Sequence, residues 1–154
     1  MDTSAMERLK SRCKNIRILY IEDDEVTRKY THSILSEFFD TVDVASDGQS
    51  GYDMFVDAEI AIPHLGLSPV LNIQKYNLII TDIKMPKMDG ISLISKIRKI
   101  CKETAIIVTS AHNDIEYLIE TIRLGVDSYI LKPIELDQLL DSLSSTIETI
   151  LSSF

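Results

Sequence analysis

Five short apolar runs alternate along this chain with stretches of helical spacing, and that alternation restricts the fold more than any other feature. The runs are Ile16–Ile21, Thr41–Ala45, Asn77–Asp82, Ala105–Ser110 and Ser128–Leu131. The third is almost continuously apolar, which suits a central parallel strand covered on both faces. From Val26 to Phe39, the apolar residues Val26, Tyr30, Ile34, Leu35 and Phe38 fall at helical spacing. Gln49 to about Ala58, Ile91–Cys101 and Ile115–Leu124 read as further helices, the last stopped at Gly125. A final helix carries Leu136, Leu139, Leu140, Leu143, Ile147, Ile150 and Leu151. Ser46-Asp47-Gly48 and Met85–Gly90 read as connections. Strands alternating with helices predict an α/β fold, a mainly parallel sheet with helices on both faces.

A chain of 154 residues fits one domain. The polar residues 1–14 read as an N-terminal tail or short helical lead-in, and residues 15–154 as the domain proper. Net charge is −8, which argues against bulk attraction to nucleic acid or an anionic membrane. No apolar run approaches the roughly 20 residues of a membrane span. Cys13 and Cys101 lack metal-ligand spacing and follow no signal peptide, so they read as reduced thiols of a cytoplasmic protein. His32, His64 and His112 are too scattered to suggest zinc.

In a doubly wound sheet, ligands sit outside the carboxyl ends of the strands. The polar residues that stop the apolar runs lie there. Glu22, Asp23 and Asp24 follow the first strand, Asp82 ends the third, Ser110 the fourth, and Lys132-Pro133 the fifth. Carboxylates crowded on one rim repel, and a divalent cation with oxygen ligands relieves that conflict. Mg²⁺ suits the arrangement, because it takes few carboxylates and keeps waters for a phosphate oxygen. Asp82 could then act as a nucleophile toward phosphorus, with Lys132 and Ser110 supplying charge and a hydroxyl donor.

Four segments carry a more specific likeness. Ile18-Leu19-Tyr20-Ile21-Glu22-Asp23-Asp24, Asp82-Ile83-Lys84-Met85-Pro86-Lys87-Met88-Asp89-Gly90, Thr109-Ser110-Ala111 and Tyr129-Ile130-Leu131-Lys132-Pro133 resemble, in order, the receiver domain of the two-component response regulator family. The resemblance spans about residues 15 to 151. It implies a flavodoxin-like, doubly wound five-stranded parallel sheet of order 2-1-3-4-5. It also implies roles. Asp82 is then the phosphoacceptor, with Lys132 and Ser110 as its catalytic partners. Asp23 is a direct Mg²⁺ ligand, Glu22 acts through water, and the backbone carbonyl of Lys84 is a further ligand. Ser110 and Tyr129 are the switch pair. Beside these roles, Lys84 and His112 are candidates for tuning the lifetime of the phosphate, the alternative for His112 being a solvent-exposed surface residue. Arg28 matches a frequent basic position and sets the register of the acidic run.

The implied function is a phosphorylation-activated switch in a phosphorelay. It would be charged by a histidine kinase or histidine phosphotransfer protein, and would change the face built by the fourth helix, fifth strand and fifth helix of the repeat. Such a protein is no metabolic enzyme, although it catalyses phosphoryl transfer to itself and slow hydrolysis. Its expected partners are the kinase, a downstream protein target or fused output domain, and a second copy in a homodimer, without direct nucleic-acid or membrane contact. A pseudo-receiver that binds proteins without phosphorylation is the alternative. A haloacid-dehalogenase-like phosphatase fits less well, since Asp82-Ile83-Lys84 lacks the second acid of that motif. The chain departs from the family pattern in an insertion at about 57–76, read as a longer helix and loop or as an added partner surface. It stops just after the last helix, leaving a stand-alone receiver and an excised one both open.

Overall fold

The computed structural model describes residues 2–65, 75–111 and 115–153, with the side chains of 61–65 and 115 outside that description. The elements run α1 Thr3–Arg12, β1 Arg17–Ile21, α2 Glu25–Leu35, β2 Thr41–Ala45, α3 Gly48–Leu65, β3 Leu78–Asp82, α4 Gly90–Ile100, β4 Ala105–Ala111, α5 Ile115–Arg123, β5 Ser128–Lys132 and α6 Leu136–Ser152. All strand pairs are parallel, in the order β2-β1-β3-β4-β5. The sheet is therefore the doubly wound, flavodoxin-like arrangement expected from the sequence.

Alternate side chains on each strand enter two separate cores. Ile18 and Tyr20 of β1, Leu78 and Ile80 of β3, and Ile107 of β4 pack with Leu35 of α2 and Leu139, Leu140, Leu143 and Ile147 of α6. Leu19, Ile21, Ile79, Ile106 and Val108 pack on the other side with Phe55 of α3 and Leu93, Ile94 and Ile97 of α4. β3 is buried along its whole length, as its unbroken apolar character requires.

Three elements differ in extent from the sequence expectation. Residues 3–12 form a full helix, α1, capped by the Asp2 carboxylate on the Ala5 N–H. Leu9 and Cys13 are buried in the same core as Phe38 and Leu35, and Arg12 reaches Glu148 on α6. Helix α2 ends at Leu35 instead of Phe39, and Phe38 and Phe39, beyond its end, are buried in the core that Leu35 shares. Helix α3 continues past Ala58 to Leu65. The chain returns to β3 where Tyr76 donates to Asp43 and stacks under the Arg17 guanidinium, and Lys75 pairs with Glu59. The remainder of the expected insertion, residues 66–74, lies outside the described residues. Among the described residues no helix is long and apolar enough to cross a membrane.

Candidate functional site

The topology places the ends of β1, β3, β4 and β5 along one rim. The β1 end supplies Glu22 and Asp23 and the β3 end supplies Asp82. One carboxylate oxygen from each of these three residues lies within 4.8 Å of the others. Among the described residues this is the one cluster of that kind. Glu22 and Asp82 are buried, and Asp23 is exposed. Lys132, at the end of β5, closes the group. Its Nζ donates to Glu22 Oε1 at 2.8 Å, to Glu22 Oε2 at 3.0 Å and to Asp82 Oδ2 at 2.8 Å. The other Asp82 oxygen, Oδ1, accepts the Ile83 N–H at 2.7 Å. One ammonium thus holds two carboxylates whose charges would otherwise oppose each other.

The energetics follow from that crowding. Burial pushes the Glu22 carboxyl up from 4.5 to about 7, and the neighbouring Asp82 charge adds to the rise against the pull of Lys132. Burial disfavours the Lys132 charge, but the hydrogen bonds it gives Asp82 and Glu22 outweigh that effect, and its pKa lies above the ordinary lysine value. The site is therefore short of positive charge. Three hard oxygen donors converge on an open rim beside one lysine, which is the donor chemistry that Mg²⁺ takes. The residues present fit that ion.

Lys84, two residues beyond Asp82, is exposed and lies on the loop that leaves β3. Its Nζ stands 5.9 Å from the centre of the Tyr117 ring on α5. That loop is tightly fixed. Gly90 N donates to Ile83 O at 2.6 Å, Lys87 takes a left-handed φ of 66° and Lys87 pairs with Asp47 at 3.7 Å. Ser110 is buried one strand away from Asp82, and its hydroxyl donates to the Ala111 carbonyl at 3.0 Å, so the acidic cluster does not include it. Tyr129 is half-buried on the sheet face that Ser110 shares, two residues below it in register. His112 lies outside the described residues.

Two features escaped the sequence reading. The sequence points Lys132 toward phosphate, and its bridge between Glu22 and Asp82 depends on side-chain direction that no motif encodes. Arg28 served only to set register, yet its guanidinium donates to the main-chain oxygens of Glu22 at 2.8 Å and Asp23 at 3.3 Å. The five-residue step from Asp23 to Arg28 was its available signal, since it spans one turn of helix beyond the cap.

The sequence model of the response regulator receiver domain matches residues 18–144. This chain belongs to the response regulator receiver domain family. Its curated relatives include the transcriptional regulatory protein DltR of Streptococcus agalactiae, 30% identical over 125 residues, covering 81% of this chain and 49% of DltR. The chemotaxis protein CheY of Treponema pallidum is 29% identical over 133 residues, covering 86% of this chain and 83% of CheY. The receiver domain spans about half the length of the first curated relatives it matches. Among solved structures, the N-terminal domain of an uncharacterized protein from Wolinella succinogenes superposes with a TM-score of 0.73 at 31% identity, covering 90% of this chain and 99% of that one. The receiver domain of the histidine kinase CKI1 from Arabidopsis thaliana, complexed with Mg²⁺ and BeF₃⁻, gives 0.74 at 25% identity, covering 96% and 97%.

Proposed function

We propose that Asp82 accepts a phosphoryl group from a histidine kinase or histidine phosphotransfer protein and that this receiver domain thereby switches a cytoplasmic phosphorelay. The observation that carries the reading is the convergence of Glu22, Asp23 and Asp82 around Lys132 on one rim. In the transfer, the phosphorus–nitrogen bond of the donor phosphohistidine breaks and a phosphorus–oxygen bond to the Asp82 carboxylate forms. The imidazole leaves with the bonding pair. Glu22, Asp23, Asp82 and the Lys84 carbonyl would hold Mg²⁺, which supplies positive charge to the phosphoryl oxygens when bound. Ile83 N–H fixes one Asp82 oxygen, so the carboxylate is oriented before the donor arrives. Lys132 is already charged and can turn from the carboxylates to a phosphoryl oxygen without a proton change.

The readout runs through Ser110. Its hydroxyl now serves a backbone carbonyl, and a phosphoryl oxygen offers it a stronger, charge-assisted partner. Its movement vacates space for the Tyr129 ring, and the face formed by α5, β5 and α6 changes. Moving such a pair of states from 1:99 to 99:1 takes about 5.5 kcal/mol of differential interaction. That face would meet the downstream target, a fused output domain or a second copy. Lys84 and His112 would set the rate of hydrolysis.

The test is labelling with acetyl phosphate or a phosphorylated donor in the presence of Mg²⁺. The parent should acquire an acid-stable, base-labile phosphoryl group and Asp82→Asn none. Equal labelling of the variant would overturn the assignment.

A further inference from the structure

We propose that Arg28 is a positioning residue for the acidic cluster: its grip on the carbonyls of Glu22 and Asp23 aims both carboxylates and sets the affinity of the site for Mg²⁺. The inference rests on the receiver reading above and adds a residue that bonds to no carboxylate itself.

The need arises from the way β1 joins α2. The last sheet bond on this side is Glu22 N–H to the Ala45 carbonyl, at 3.1 Å. Asp24 already caps α2, its Oδ2 accepting from Thr27 N at 2.8 Å and Thr27 Oγ1 at 2.6 Å. Glu22 and Asp23 therefore form the bridge between strand and helix, and their carbonyls belong to neither ladder. Arg28 lies in the first turns of α2, its own N–H bonded to the Asp24 carbonyl at 2.8 Å. Its half-buried side chain folds back, and Nη1 reaches both orphan carbonyls. With strand, cap and carbonyls all held, the backbone that carries both carboxylates is fixed beside Asp82, and one oxygen of each lies within 4.8 Å of an Asp82 oxygen.

Arg28 differs from Lys132 in what it touches. Lys132 holds the carboxylates and must release them when other partners arrive. Arg28 holds backbone, so its bonds persist through binding and phosphorylation. A planar guanidinium also serves two acceptors in fixed directions, where a lysine ammonium acts as a point charge.

The experiment measures Mg²⁺ affinity by titration calorimetry, and the melting temperature in EDTA, for the parent, Arg28→Met, Arg28→Lys and Leu35→Ala. Loss of a group that orients metal ligands weakens binding roughly 10–100-fold, which is the expectation for Arg28→Met. Arg28→Lys keeps the charge and should recover part of that loss. Leu35→Ala opens a cavity elsewhere on α2, so it should lower the melting temperature but leave Mg²⁺ affinity within about twofold of the parent. The proposal is overturned if Arg28→Met binds Mg²⁺ as the parent does, or if Leu35→Ala weakens binding equally. If Arg28→Met does not fold, unchanged affinity in Arg28→Lys overturns it. A parent that binds no Mg²⁺ refutes the receiver reading itself, a result distinct from any difference among variants.

Discussion

Glu22 provides the sharpest quantitative test of the rim. Its carboxyl is fully buried and is pushed from 4.5 to about 7, so between those two values the folded state holds a proton that the unfolded state has released. The sign follows directly. The contribution is fully present below about 4.5 and is lost as pH rises through about 7, because the folded protein must then ionise a buried acid. Each tenfold change in proton affinity is worth about 1.4 kcal/mol, so the whole effect is about 3 kcal/mol. Between pH 5.5 and 8, the range in which carboxylates with lowered pKa values no longer titrate, about 2 kcal/mol of it remains. Glu22→Gln keeps the shape and an acceptor for Lys132 but cannot titrate. In EDTA, the stability of Glu22→Gln relative to the parent should therefore rise by about 2 kcal/mol from pH 5.5 to pH 8, as read by urea unfolding. For a domain of this size that is a relative shift in melting temperature of roughly 4–8 °C. Mg²⁺ added to the parent should flatten its curve, since the ion favours the ionised acid. A difference between the proteins that stays constant across the range would refute the burial argument.

Three further outcomes follow from the packing. A Cβ at Gly90 would collide with the Asp82 carbonyl oxygen and come within 2.8 Å of Ile83 Cα, backbone that cannot give way; Gly90→Ala should cost about 1–3 kcal/mol in urea unfolding, and an unchanged midpoint would contradict the close approach. Leu9→Ala should cost about 2–5 kcal/mol if α1 belongs to the core; a loss below about 0.5 kcal/mol would make residues 3–12 an appendage. Burial pushes the Cys13 thiol up to about 12, so a thiol reagent at neutral pH should count Cys101 alone in the native protein and both residues in denaturant. Two fast native thiols would contradict that packing.

How much of this was legible in the sequence depends on what each feature rests on. β1, β3 and β4 were plain because strands buried on both faces need nearly unbroken apolar runs, and Ile79 and Ile80 serve opposite cores. Helix α1 was obscured by its polar density, although Met6, Leu9 and Cys13 repeat at helical spacing and Asp2 is a ready cap. The end of α2 is not legible in the sequence, because Phe38 fits both a helical stripe and a buried turn, and periodicity cannot tell the two apart. At the site, topology alone brings Glu22, Asp23, Asp82 and Lys132 together once the strands are parallel, so that constellation could be read before any coordinate. Side-chain direction could not. Ser110 shows why this matters for mechanism. Its residue type and strand position suit a switch, but the Ala111 carbonyl is its partner at rest. Charge-assisted hydrogen bonds are about twice as strong as neutral ones, so under the proposed function a move to a phosphoryl oxygen would gain by exchange and leave one carbonyl to be satisfied elsewhere. The driving force of such a switch would be that difference, and the resting direction of the hydroxyl would set it.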